Sequence, residues 1–206
     1  MNLGRLHYQS ALNQQAKWID DSKDRSGVEI FYFESEPVIT LGVRATRERD
    51  VLQNSNVEIL PVDRGGEATY HGPGQLVIFP AVHLPEWNLS VREWVALLLD
   101  TTVQLLKEND IPSEWSESKP GVFTPNGKIA SVGLKVRGGW SRHGLALNVR
   151  GDLEAFSLIR ACGVAKASID QMSRWPNATT DLATIGSQWE KIFREQLHFL
   201  RFSRKT

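Results

Sequence analysis

The order in which strand-like and helix-like segments follow one another is the feature that most constrains the fold of this chain. Helical periodicity of apolar residues is present at 6–22, from Ser90 to about Glu108, and at 180–202. The middle helix begins with a capping box, since Ser90 is followed three residues later by Glu93. Short segments with the alternation or apolar content of strands lie at 28–33, 38–41, 57–62, 75–83, 121–123, 129–136 and 144–149. Because the two kinds of segment do not alternate regularly, their order predicts an α+β fold.

Glycine and proline refine this outline at three places. Asn126-Gly127 and Gly138-Gly139 each separate two strand-like segments, and both therefore predict hairpin turns. Pro80 lies inside the apolar segment 75–83. Because proline has no N–H for a central ladder, it predicts an edge strand or a strand end there.

Length, charge and cysteine count narrow the class of protein. A chain of 206 residues suits one domain, and we expect a single domain over residues 1–206. Lysine plus arginine and aspartate plus glutamate number 24 each, which argues against a generic nucleic-acid-binding protein, since such proteins are usually basic. With one cysteine the chain has no intramolecular disulfide. The polar start of the chain and its short apolar runs predict a cytoplasmic protein without a membrane segment.

The segment 63–75 combines residue types that bind ligands. Its glycines let the backbone approach a ligand closely, Arg64 can meet an anion, and His71 can donate or accept protons. A long turn that uses glycine for its geometry is the alternative. The Gly-Lys-Ser/Thr ending of a phosphate-binding loop is absent, so a P-loop nucleotide site is not expected.

Lys128 and Cys162 are candidates for covalent chemistry, and each has an ordinary structural alternative. A lysine directly after a turn is usually solvated, whereas a lysine that points inward can have its pKa lowered enough for acid–base work. A lone cysteine is most often a small buried side chain. Cys162 precedes a glycine, however, and a thiol is the natural group to accept an acyl chain from another thiol. His143, taken alone, is best interpreted as a structural histidine.

Five motifs occur together in an order that is typical of one enzyme family. They are Arg-Gly-Gly-x-x-Thr-Tyr-His-Gly-Pro-Gly-Gln-Leu at 64–76, Gly-Lys-Ile-Ala-x-x-Gly at 127–133, His-Gly-Leu-Ala-Leu-Asn-Val at 143–149, Asp152-Leu153-x-x-Phe156 and Cys162-Gly163. In these motifs the chain resembles the lipoyl(octanoyl) transferases of lipoate biosynthesis. The similarity runs from about residue 37 to residue 164, and the first string is its most specific part. It implies a biotin/lipoate protein ligase-like domain, with a mixed β-sheet flanked by helices.

The resemblance also implies roles for particular residues. Cys162 matches the acyl-accepting cysteine of the family, and Lys128 matches the lysine paired with it. The substrate-binding positions correspond to Arg64, Gly65, Gly66, Glu67, Ala68, Thr69, Tyr70, His71, Ser131, Val132, Gly133, Gly144, Leu145 and Ala146. We expect Thr69, Tyr70 and a turn at 144–146 to form the walls of an acyl-chain tunnel. Neither a cofactor nor a metal ion is implied.

Three positions depart from the family pattern. Glu67 replaces a glutamine and adds a charge near the expected pocket mouth. Ala161 replaces the proline before the cysteine, and Ala167-Ser168 stands where Thr-Ser is usual. These changes bear on donor preference and loop order more than on the reaction.

The implied activity is transfer of an octanoyl group from acyl carrier protein to a protein lysine, through a thioester on Cys162. The implied acceptors are lipoyl domains of 2-oxoacid dehydrogenases and the glycine-cleavage H protein, and no nucleic acid or membrane partner is expected. Three alternatives stay open: an ATP-dependent lipoate or biotin protein ligase of the same fold, a cysteine thioesterase, and a non-catalytic relative that holds acyl groups or carrier proteins. The combination of Lys128 with Cys162 favours catalysis over the last of these.

Overall fold

The structure, a computed structural model, describes residues 1–22, 24–52, 56–117, 119–160 and 168–203. Within these residues, the strands of the main sheet are β1 Asn2–Leu6, β2 Val28–Ser35, β6 Gln75–Val82, β7 Glu114–Ser116, β8 Lys119–Thr124, β9 Gly127–Arg137 and β10 Trp140–Asn148. Their order across the sheet is β1-β2-β6-β10-β9-β8-β7. β1 and β2 run parallel and the other neighbours antiparallel, so the sheet is mixed and the predicted α+β class is confirmed.

Helices cover both faces of this sheet. α1 (Tyr8–Asp21) packs on one face, and α2 (Arg47–Asp50) is a single turn at the periphery. On the other face, α3 (Val91–Glu108) and α4 (Leu182–Ser203) pack against each other and the sheet. The capping box predicted for α3 is present, with the Ser90 hydroxyl accepting from the N–H of the third helical residue. The three helices predicted from periodicity are therefore confirmed.

The side chains of β6 show how the two faces are divided. Leu76 and Ile78 belong to the core shared with α3 and α4, whereas Val77 and Phe79 belong to the core shared with α1. This is the alternation expected when a strand is covered on both faces. The apolar character of the whole strand, which the sequence shows, follows from that double burial.

A second, smaller sheet faces the α1 side of the molecule. It consists of β3 (Val38–Leu41), β4 (Glu58–Pro61) and β5 (Ala68–His71), in the order β4-β3-β5. β3 pairs parallel with β4 and antiparallel with β5. The sequence alternative of one long glycine turn at 63–75 is therefore wrong in its centre, because the glycine-free stretch 68–71 finds a partner in β3 and contains strand-favouring threonine and tyrosine.

Pro80 lies in a central strand, so the prediction of an edge strand or strand end is wrong. The ladder between β6 and β10 ends at the pair Ile78 and Leu145. Beyond that pair the Gln15 side chain accepts from the N–H of His143 at 2.9 Å and donates to the carbonyl of Pro80 at 3.3 Å. The nitrogen and carbonyl of one strand residue point to the same side, so the nitrogen of Pro80 faces this break. No ladder bond is required there, and a proline is tolerated.

Smaller differences concern two short strands, the position of one turn and the segment 144–146. The strands β1 and β7 were not predicted, and the turn before β9 consists of Pro125 and Asn126, one residue earlier than expected. The segment 144–146 belongs to β10, so the expectation of a turn there is also wrong. In the part of the chain that the structure describes, no helix is both long and apolar enough to cross a membrane.

Candidate active site

A cavity of about 200 Å³ lies between the two sheets. Its floor is formed by β6, β10 and β9, and its roof by the chain that leads into and forms β5. Most of the residues expected to bind substrate line this cavity together with the expected lysine: Arg64, Gly66, Glu67, Ala68, Thr69, His71, Lys128, Ser131, Val132, Gly133, Gly144, Leu145 and Ala146. The structure therefore brings three distant parts of the sequence to one place.

Two of the expected residues that the structure describes, Gly65 and Tyr70, are not part of this lining. Cys162 lies outside the described residues. Gly65 is bound to β9 through its backbone, since its N–H donates to a carbonyl of that strand at 2.8 Å. Thr69 and His71 face the cavity, so Tyr70 between them faces away, as alternation along a strand requires. Its ring lies beside that of Phe156, with centroids 5.8 Å apart, and the expectation that Tyr70 is a tunnel wall is wrong.

Five further residues complete the lining: Tyr8, Arg44, Val77, Phe79 and Pro120. The sequence carries a signal for three of them, since Tyr8 lies on the predicted apolar face of α1 and the strand pattern places Val77 and Phe79 on one face. Such a pattern does not distinguish a core side chain from a cavity wall, because both are apolar and shielded from water.

Lys128 is buried, so the alternative of a solvated lysine after a turn is wrong. Its side chain is 7% exposed and lines the cavity floor. Gly121 on the neighbouring strand makes room for it, since a Cβ there would lie 2.3 Å from Lys128 Cε, and its φ of 130° also favours glycine. Nζ lies over the ring of Phe123, 5.4 Å from the centroid. The local sequence therefore directs the amine into the molecule.

Arg64 places a positive charge in the cavity wall. The guanidinium is buried and donates to the carbonyl of Thr40 at 3.0 Å, to its hydroxyl at 2.7 Å and to the carbonyl of Gly65 at 3.0 Å. Burial raises the pKa of neighbouring Tyr8 to about 12, an effect that Arg64 partly opposes. A fixed guanidinium beside a neutral phenol can hold an electron-rich group such as a carbonyl or carboxylate oxygen.

His71 is held as a neutral imidazole. Its Nδ1 lies 2.7 Å from Gln75 Oε1, and the amide nitrogen of Gln75 donates to Asn148 Oδ1 at 2.9 Å. Gln75 therefore offers its oxygen to the ring, so we assign the ring proton to Nδ1. Burial and, to a lesser degree, the charge of Arg64 lower the pKa of His71 to about 3. Because the ring stays neutral near pH 7, His71 contributes to the cavity wall rather than to proton transfer.

His143 has the structural role expected of it. It is 2% exposed, its Nε2 lies 2.7 Å from Asp63 Oδ1, and its Nδ1 lies 3.5 Å from the hydroxyl of Tyr8. Burial lowers the pKa of His143, while the hydrogen bond with Asp63 opposes the change. The same hydrogen bond lowers the pKa of Asp63. His143 thus connects the start of the roof to α1 and keeps Tyr8 in place.

Charged groups of both signs line the more open part of the cavity. Arg44 is exposed, and Glu67, the departure from the family glutamine, is half-buried. The expected position of Glu67 near the pocket mouth agrees with this exposure. Across the described ranges, no group of three or more histidine, cysteine, aspartate and glutamate side chains is arranged to hold a metal ion.

Comparison with known proteins gives relatives of one kind. A family model described as Lipoyl protein ligase A/B catalytic domain matches residues 7–194. The chain is 38% identical to an octanoyltransferase of Shewanella piezotolerans over 196 residues, which is 95% of this chain and 88% of the relative. It is 40% identical to an octanoyltransferase of Alkalilimnicola ehrlichii over 161 residues, 78% of this chain and 74% of the relative.

The fold is shared with more distant proteins of known structure. A bipartite lipoate protein ligase from Thermoplasma acidophilum, studied with its E2 lipoyl domain, has a TM-score of 0.74 at 16% identity. The match covers 96% of this chain and 84% of the ligase chain. This likeness concerns the fold alone, and it confirms the expected biotin/lipoate protein ligase-like architecture.

Proposed function

The chain belongs to the Lipoyl protein ligase A/B catalytic domain family and, within it, to the octanoyltransferases, and on this basis we propose a specific acyl-transfer reaction for it. Membership makes it an acyltransferase. The proposal adds the donor, the acceptor and the route. The donor is octanoyl-acyl carrier protein, the acceptor is a lysine of a lipoyl domain or of glycine-cleavage H protein, and the acyl group passes through a thioester on Cys162.

The extent of the cavity floor is the observation that best supports a medium-chain acyl group. Lys128 lies on β9 and the apolar side chains of Val77 and Phe79 lie on β6, with β10 between these strands. Two strand spacings of about 4.8 Å give about 10 Å across the strands. Lys128 lies three residues before Ser131, the residue in register with Ala146 and Val77, so the two ends of this floor are also about 10 Å apart along the strands. The side chain of Lys128 covers part of this distance, since it lines the cavity, and a medium-chain acyl group whose carbonyl lies near the amine can extend over the rest toward β6.

In the first half-reaction the thiolate of Cys162 attacks the carbonyl carbon of the donor thioester. A new C–S bond forms to Cys162, the C–S bond to phosphopantetheine breaks, and the released thiolate takes up a proton. Lys128 assists formation of the Cys162 thiolate, and the proton of that thiol passes to the released phosphopantetheine thiolate. The burial of Lys128 on the cavity floor supports this role, since proton transfer requires a positioned group.

In the second half-reaction the amine of the acceptor lysine attacks the thioester of Cys162. An amide forms, the C–S bond breaks, and Cys162 is restored. The net reaction converts a thioester and a lysine ammonium into a thiol, an amide and one released proton. Lys128 takes the proton from the attacking amine before it passes to solvent. Conversion of a thioester to an amide is downhill, so the transfer needs no ATP.

The segment 64–71 has a binding role in this proposal. His71 stays neutral and Arg64 is permanently charged, so neither is suited to exchange protons with substrate near pH 7. The fixed guanidinium and the close approach of the backbone are suited to positioning the donor. Bond making is left to Cys162 and Lys128.

Transfer in ATP-free buffer tests the proposal. The protein is mixed with octanoyl-acyl carrier protein and a lipoyl domain, and octanoylation of the domain is followed by intact mass. Cys162→Ala should give no product and Lys128→Met much less, whereas Lys107→Met, which removes an exposed lysine of α3, should match the wild type. Wild-type transfer by Cys162→Ala would contradict the covalent route. A strict requirement for ATP would indicate the ligase alternative, and release of free octanoate instead of transfer would indicate a thioesterase.

A further inference from the structure

The backbone of Lys128 is paired with the segment 168–170. The N–H of Lys128 donates to the carbonyl of Ser168, and the N–H of Asp170 donates to the carbonyl of Lys128, both at 2.9 Å. These bonds form an isolated parallel bridge between Lys128 and Ile169. Both peptide groups of Lys128 are therefore held by chain that lies outside the β8–β9 hairpin.

Asp170 anchors this segment through a fully buried carboxylate. Its Oδ2 accepts from the hydroxyl of Thr124 at 2.6 Å and from the indole N–H of Trp175 at 2.8 Å. Arg174 Nη1 lies 3.9 Å from Oδ1. Thr124 is the last residue of β8, directly before the turn into β9. One carboxylate therefore joins the segment 168–170 to the hairpin that carries Lys128.

The carbonyl of Asp170 extends this connection to the cavity wall. It accepts from Asn148 Nδ2 at 3.1 Å, and the side-chain oxygen of Asn148 accepts from Gln75 Nε2 at 2.9 Å. Gln75 in turn holds His71. Asp170 is thus part of one hydrogen-bonded chain that begins at the backbone of Lys128 and ends at His71, and both of these residues line the cavity.

Burying a carboxylate costs free energy, because its oxygens lose their hydrogen bonds to water. Apolar residues often replace such groups without loss of stability, so stability alone does not explain Asp170. Two contacts of Asp170 hold the hairpin that presents Lys128: its N–H donates to the carbonyl of Lys128, and its carboxylate accepts from the hydroxyl of Thr124. We infer that Asp170 is a positioning residue, which fixes Lys128 relative to the acyl cavity. The inference rests on the proposed function, since it presupposes that Lys128 acts on the thiol of Cys162.

The single cysteine of the chain provides a direct readout. The rate of alkylation of Cys162 by iodoacetamide, measured against pH, reports how readily its thiolate forms. Lys128→Met defines the profile obtained when the amine is lost. Asp170→Ala should move the wild-type profile toward that of Lys128→Met. The double variant should show no further change, because Asp170 acts through Lys128.

Octanoyl transfer provides a second readout. Asp170→Ala should lower kcat about 10- to 100-fold, as expected for a displaced catalytic group, with KM for the octanoyl carrier within about twofold. Asp170→Asn keeps an acceptor oxygen for Thr124 and Trp175, and kcat should recover to within about fivefold of the wild type. Thr102→Val is the matched control, because it removes the acceptor of another buried indole, Trp189 Nε1 at 3.0 Å, between α3 and α4. Its alkylation profile and kcat should equal those of the wild type.

Three results decide between the explanations. A folded Asp170→Ala protein with the alkylation profile and kcat of the wild type overturns the inference. If Thr102→Val changes the profile and kcat as much as Asp170→Ala does, the effect is a general loosening of the fold, and the inference is overturned as well. An unchanged profile in Lys128→Met shows instead that the proposed function fails. Should Asp170→Ala not fold, Thr124→Val removes one hydrogen bond of the carboxylate and carries the test. It should shift the profile partway toward that of Lys128→Met, and an unshifted profile overturns the inference.

Discussion

Replacing Ala146 by leucine should shorten the acyl chain that the cavity accepts. Ala146 is buried in the cavity floor on β10, where it pairs with Val77 of β6 and Ser131 of β9. The larger leucine side chain there stands between Lys128 and the apolar side chains of β6, on the path of an extended acyl chain. We therefore expect the far end of the cavity to close while the end near Lys128 stays open.

The magnitude follows from apolar burial. Leucine reaches about two methylenes further into the cavity than alanine, so an octanoyl chain loses contact for about two of its methylenes. At about 0.8 kcal/mol each, the loss is about 1.6 kcal/mol, or roughly fifteen-fold in transfer efficiency. A hexanoyl chain ends before the new side chain and should keep its efficiency. The optimum should therefore move from about eight carbons to about six.

The assay is a competition among carrier thioesters of graded length, read from the masses of the acyl-enzymes. Ala81→Leu is the control, since it adds the same carbons on the same face of β6 but outside the cavity lining. Overpacking should lower its thermal stability and leave the optimum length unchanged. A flat length profile in the wild type, or an optimum that Ala146→Leu does not move, would refute the assignment of this cavity to the acyl chain.

Three further changes test other parts of the site. Burial lowers the pKa of His71 from 6.5 to about 3, so below pH 6.5 the unfolded chain binds a proton that the folded protein does not. The free energy of unfolding, measured with urea, should therefore fall as the pH decreases, by about 1–2 kcal/mol at about pH 5.5. If His71→Gln loses the same amount over this pH range, His71 is not the cause. Gly66→Val should raise the KM for the donor at least about tenfold, because Gly66 lines the cavity at a φ of 93°. Gly65→Ala should be tolerated, because a Cβ at Gly65 meets only a carbonyl oxygen, at 3.4 Å. Identical donor KM values in the two variants would show that this segment does not position the donor. Lys128→Arg should fail as Lys128→Met does, because a guanidinium cannot accept a proton, and wild-type kcat in Lys128→Arg would remove Lys128 from proton transfer.

Elements whose determinants are local could be predicted from the sequence. The start of α3 is fixed by Ser90 and Glu93, which satisfy the first backbone groups of the helix within one turn. The hairpin between β9 and β10 follows from Gly138 and Gly139, whose φ values of 58° and 83° suit glycine. In each case the residues that determine the structure are adjacent in the chain.

Features that depend on distant partners could not be predicted. Pro80 is tolerated in the centre of the sheet only because Gln15, 65 residues earlier, takes the place of the ladder. The strand at 68–71 exists because β3 pairs with it, and that pairing decides that Tyr70 faces away from the cavity. Nothing near Asp170 in the sequence marks it, because its partners Thr124 and Asn148 lie 46 and 22 residues earlier in the chain.

The motifs predicted most of the residues that line the cavity, but not how these residues are arranged. They assigned Lys128 and the segment 64–71 to one site, and the structure adds Tyr8 and the β6 side chains that form the far end of the cavity. The roles of Cys162 and Lys128, the single-domain extent and the cytoplasmic location stay predictions. Of these, the role of Cys162 bears most directly on the mechanism.

Detection of the acyl group on Cys162 is the most direct test of that mechanism. The protein is mixed with octanoyl-acyl carrier protein without ATP or acceptor, quenched in acid and digested, and the peptides are analysed by mass spectrometry. The mechanism predicts an octanoyl group on the peptide that contains Cys162, which hydroxylamine removes and which a lipoyl domain added before the quench takes up as an amide. Transfer to the lipoyl domain with no adduct on Cys162 at any time, or with the adduct on another residue, would contradict it.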